Sequence, residues 1–115
     1  MRADSIAALP NPSAPTPDAV AGVTAARQQA ATDLKQLTPP NDIRPEHEAL
    51  LLAMSDLAAA GVEFLGTAEG LEDEAFVAAI RAATDIDDTA QRVATACDAM
   101  QRRAIGLGYT ATIRC

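Results

Sequence analysis

The sequence predicts an all-α protein, folded as an antiparallel four-helix bundle with an extended C-terminal tail packed back on the fourth helix. Three observations carry that prediction. Apolar residues recur at spacings of three and four over most of the chain, short runs rich in proline and glycine separate these segments, and alanine dominates the apolar inventory. Of the 115 residues 49% are hydrophobic, yet only 3% are aromatic and tryptophan is absent. Closely approaching helices suit such small side chains better than a sandwich or barrel filled with rings does.

Residues 1–16 read as a flexible tether, because Pro10, Pro12 and Pro15 among Ser, Thr and Asn block a helix and remove backbone donors. The single helical domain then runs over 17–115. Its first helix, about 17–37, opens with Thr16 as a cap, Pro17 in the first helical position and Asp18 against the helix dipole. Val20, Val23, Ala30, Leu34 and Leu37 lie near one face, with Gly22 a mild weakness. "TPPND" stops it, since consecutive prolines cannot continue a helix.

The second helix, about 45–67, starts at Pro45 with Glu46 and Glu48 in its first turn. Its stripe is Leu50, Met54, Leu57, Gly61, Phe64 or Leu65, and Ala68. Gly61 and Gly66 either weaken the last turns or admit a close neighbour. A third, shorter helix at 71–84 points Phe76, Ile80 and Ala83 inward. The fourth, 86–107, is the clearest. Ile86, Ala90, Val93, Cys97, Met100, Ala104 and Leu107 form its stripe, acids stand at its start, arginines near its end, and Gly106 and Gly108 finish it.

A net charge of −7 and a pI near 4.4 argue against nucleic acid, whose phosphates require clustered Lys and Arg. No run approaches the roughly 18 consecutive apolar residues of a transmembrane segment. The apolar stretch Ile6 to Leu9 is too short for a signal peptide and meets Pro10 at once.

The cysteines bear on the compartment. From Cys97 to Leu107 the helix climbs ~15 Å, and the following residues, extended, reach ~26 Å. The tail can therefore turn and run back, with Tyr109, Ala111, Ile113 and Cys115 on one side. A Cys97–Cys115 disulfide would contribute roughly 3 kcal/mol by loop-entropy reasoning and imply an oxidising compartment. The alternative is two reduced thiols, one buried and one terminal. Zinc is disfavoured, because the two cysteines and the distant His47 lack ligand spacing.

The run "LKQLTPPNDIRPEHEALLLAMSDL", followed by "ACDAMQRRAIGLGYTATIRC", resembles small exported proteins and lipoproteins of bacteria, actinobacterial or Chloroflexi-like. These share a Leu-x-x-Leu-x-Pro-Pro … His-x-x-Leu run between helices, and some end in paired cysteines. The resemblance implies export and a helical fold and supplies no catalytic residues. This chain departs from it in showing neither a signal peptide nor a lipid-acceptor cysteine.

Catalytic residues are not expected. Ser5, Ser13 and Ser55 occupy no nucleophile elbow, and a triad lacks a second histidine. "TDIDDTA" matches the opening of a calcium loop from Asp85, but Ala90 replaces its glycine and Ala96 its bidentate glutamate. Asp85 reads instead as the cap of the fourth helix. His47 reads as a side chain packed over "TPPND" and bonded to a loop carbonyl.

The leading expectation is a non-catalytic, exported or cell-surface interaction or structural domain, meeting a protein or cell-envelope partner and needing no cofactor. A second is a small-ligand bundle with a site between helices near His47, Met54 and Phe64. A third is a cytoplasmic partner-binding bundle with reduced cysteines.

Overall fold

The computed structural model describes residues 15–109. Among the described residues four α-helices form, α1 (Pro17–Gln36), α2 (Arg44–Thr67), α3 (Asp73–Ala82) and α4 (Thr84–Gly106), with a 3-10 turn, Asn41–Ile43, leading into α2. No strand occurs among the described residues. The all-α bundle is therefore the fold. The expected tether falls almost wholly outside the described residues, as does the returning tail beyond Tyr109.

Helix α1 begins as its residues dictate. Thr16 has extended backbone, its hydroxyl accepts from the Ala19 amide at 3.1 Å, and Pro17 needs no amide partner in the first turn. The face that α1 buries is only partly the one its apolar residues mark. Thr24 and Ala31 are buried and Val20, Arg27 and Leu34 half-buried, whereas Val23 is 48% exposed, Leu37 63% exposed, and Ala30 lies outward. The reason is a close crossing. A Cβ on Gly61 of α2 would stand 2.6 Å from the Thr24 hydroxyl oxygen, so glycine and threonine meet where larger side chains would hold the helices apart.

Gly22, by contrast, is exposed and has nothing within 4 Å of where a Cβ would stand. Gly22→Ala should stabilise the protein by about 1 kcal/mol, through backbone entropy alone. A rise in the urea midpoint at unchanged slope is the expected reading.

Helix α2 is central, with α1 and α4 both packed along it. Leu50, Leu57, Gly61, Phe64 and Ala68 are buried as the stripe predicts, Ala53 and Ala58 join them, and Met54 is half-buried. The segment Asn41–Thr67 is long and apolar enough, by length and composition, to cross a membrane. Here its apolar stripe is the floor on which the neighbouring helices rest.

Helix α3 is a short lid over one end. Its Phe76 is only 1% exposed and meets Phe64 edge-on, with ring centroids 5.6 Å apart at 70°. Ala68 completes this cluster, and Val20, Ile80 and Ile86 pack around it, so all four helices converge there. The lid is entered through Gly70 and Asp73, both at positive φ, the second unusual for a residue with a Cβ.

Two expectations about α4 are corrected. Only Ala83 separates α3 from α4 and it bears no capping side chain, so Asp85 lies in the first turn rather than capping it. The helix start has moved because the connection is shorter than "TDIDD" suggests. At the other end Gly106 is still helical, and Gly108 alone makes the reversal, at φ 89°. The Tyr109 amide donates to the Ala104 carbonyl and the Gly108 amide to that of Ile105, each at 3.0 Å, the paired bonds of a Schellman ending. Leu107, expected inside, is the cap residue and is 37% exposed.

Candidate functional site

His47, Met54 and Phe64 do not form one site. All three lie on α2, but His47 and Phe64 are separated by ~25 Å of helix at 1.5 Å per residue. Separate open grooves appear among the described residues instead. One, about 280 Å³, lies between α2, α3 and α4 beside Phe64, with Glu63 and Asp85 on its rim. The second, about 260 Å³, opens between α1 and α4 over Gly61. Its walls are Val20, Val23, Ile80 and Ile86, and Arg27 and Asp87 supply opposite charges at the edge. The third, about 240 Å³, lies where α1 ends and α2 begins, and His47 contributes to its lining.

The geometry of the second groove follows from the crossing at Thr24 and Gly61. Because α1 and α4 rest on α2 rather than on each other, their inward stripes face across a gap. Val20 and Ile86 stay half-buried for that reason. Sequence reading missed this groove, since it depends on how far apart two helices stand on a third.

His47 is 5% exposed, and its Nε2 is buried without a hydrogen-bond partner. The expected bond to a loop carbonyl is not made, and Thr38 and Pro39 of the loop line the same groove as the ring. Oε1 of the adjacent Glu46 is also buried and unpartnered. Among the described residues no group of three or more His, Cys, Asp or Glu could hold a metal ion.

The C-terminal end of α4 is latched to the 3-10 turn. The Tyr109 hydroxyl donates to both carboxylate oxygens of Asp42, at 2.9 and 3.2 Å, and Arg103 Nε reaches the Asp42 carbonyl at 3.5 Å. The bond to Asp42 holds the Tyr109 phenol above its ordinary value of 10.0, with desolvation and the carboxylate charge adding to it. A raised folded-state value stabilises the fold below pH 10, and that contribution is lost as pH rises through the folded value. Tyr109→Phe should therefore unfold at lower urea than the parent at pH 8, and the two curves should converge in strong alkali.

Elsewhere α4 is tied to α2 by Arg92 and Asp56 at 3.0 Å, a pair too exposed to contribute more than ~1 kcal/mol. Cys97 is buried on the α4 stripe, and no free cysteine occurs among the described residues. Cys115, its expected partner, lies outside the described residues.

Fold and surface together define an all-α domain whose accessible features are shallow grooves between helices. No family model, curated protein or solved structure matches the chain.

Proposed function

We propose that this protein is a non-catalytic helical interaction domain, exported or displayed at the cell surface and stapled by a Cys97–Cys115 disulfide. The observation that supports it best is the groove between α1 and α4. Apolar walls of Val20, Val23, Ile80 and Ile86, flanked by Arg27 and Asp87, suit an apolar side chain of a partner segment with a polar margin. The net charge of −7 disfavours a polyanionic partner. Burial of Cys97 on the face toward the core, with no free cysteine among the described residues, supports the staple and with it an oxidising compartment.

Photo-crosslinking in the native cell tests the surface. A photoreactive residue at position 23, on the groove wall, should label one protein that the same residue at position 26, on the outer face of α1, leaves unlabelled. Equal labelling from both, or none from 23, overturns the assignment. Thiol titration of the exported protein under denaturing conditions tests the staple, which two reactive thiols would rule out.

A further inference from the structure

The groove at the junction of α1 and α2 carries an inference independent of the partner surface. Its lining combines Leu37, Pro39 and Leu51 with three polar side chains from the first turns of α2, Arg44, His47 and Glu48. Arg44 is positioned by its own hydrogen bond, NH2 to the Asn41 side-chain oxygen at 2.7 Å, which leaves other guanidinium donors for the groove. Arg44 and Glu48 stand one helical turn apart, and no ion pair joins them among the described residues. A cation and an anion thus border one cleft, each available to an outside group.

Between them lies a side chain with an unmet demand. His47 is 5% exposed, yet its Nε2 has no partner. Buried polar atoms are rarely left so, and one that is costs about 1–3 kcal/mol. A ligand able to supply a donor there gains what the empty fold forgoes. Leu37, the cap residue of α1 and 63% exposed, is the most exposed of the apolar walls, and its displacement would open an approach to that atom.

We infer that this groove binds a small zwitterion with an aliphatic body, of the free α-amino acid class. The carboxylate pairs with Arg44 and benefits from the positive end of α2. The ammonium lies between Glu48 and His47 and donates to Nε2. The aliphatic side chain packs on Leu37, Pro39 and Leu51. A volume of about 240 Å³ accommodates a single residue of this kind.

The test is an NMR titration of the full chain with L-leucine, observing the His47 ring nitrogens. Saturable shifts at a dissociation constant on the order of 1 mM are expected, as suits a small ligand on an open site. 4-Methylpentanoate, which is leucine without the ammonium, and glycine, which lacks the side chain, should each bind at least 5-fold more weakly. Arg44→Gln changes an exposed side chain and should weaken leucine at least 5-fold while circular dichroism stays unchanged. The inference is overturned if leucine leaves the ring signals unmoved, as an ordered water alone at Nε2 would, if 4-methylpentanoate or glycine binds as well as leucine, or if Arg44→Gln has no effect.

Discussion

Phe76→Ala is expected to lower the unfolding free energy by about 3–5 kcal/mol, the range for losing a buried ring. Phe76 is the most completely buried large side chain, and it is the only buried residue of α3. Removing the ring leaves a void against Phe64 and Ala68 and forfeits the edge-on ring contact. The surrounding side chains, Val20, Ile80 and Ile86, come from three different helices and cannot close in without moving those helices. Since domains of this kind have only ~5–15 kcal/mol in total, the variant should melt well below the parent. Phe76→Leu keeps most of the volume and should recover more than half of the loss. A urea titration read by circular dichroism distinguishes these outcomes, and a Phe76→Ala loss below 1 kcal/mol would mean that α3 does not hold the other helices together.

Gly61→Leu should destabilise by ~3 kcal/mol, at the upper end of what overpacking costs. Even a methyl group at this position would be 2.6 Å from the Thr24 hydroxyl, and Thr24 is itself 3% exposed and hemmed in. The longer side chain must push α1 away from α2. Helix α1 has little else to hold it, since Thr24 and Ala31 are its only fully buried residues. The coupling is open to a double-mutant cycle: Gly61→Ala should cost less in a Thr24→Ala background than in the parent, because the obstructing hydroxyl and methyl are gone. Equal costs in both backgrounds would show that the two positions do not meet.

These two positions also mark how far the sequence alone reaches. Phe76 stood out at once, as a ring on the apolar face of a short helix in a chain with few rings. The four helices and most of their ends were legible for the same reason, that spacing, prolines and the Thr16 cap act locally. Thr24 was invisible. Ranking α1 by apolarity selected Val20, Val23, Ala30, Leu34 and Leu37; Val20 and Leu34 flank the buried line, but Val23, Ala30 and Leu37 lie off it, and its centre passes through Thr24 and Ala31, because small residues decide where two helices can touch.

The grooves were less legible still. His47 was recognisable as the sole histidine near a helix start, but its companions across the cleft, Leu37 and Pro39, come from the end of α1 and the loop after it. Met54 and Phe64 shared its stripe without sharing its site, because a common face on a long helix guarantees a common direction and nothing about distance. Tyr109 was expected on the inward side of a returning tail; it is 38% exposed, and the tail beyond it lies outside the described residues. Its bond to Asp42 spans a sequence separation of 67, beyond the reach of any local pattern.

The arrangement of α1 and α4 on a shared α2 has a consequence for how the molecule opens. Each outer helix is held chiefly through its own interface with the middle one, so each can be released without first breaking the other. Amide hydrogen exchange should therefore separate into tiers. Amides of α2 exchange only on global unfolding. Those of α4 follow, secured by Arg92 and by the Tyr109 latch. Those of α1, anchored mainly at Thr24 and Ala31, exchange first, through a partial opening that uncovers the apolar walls of α2.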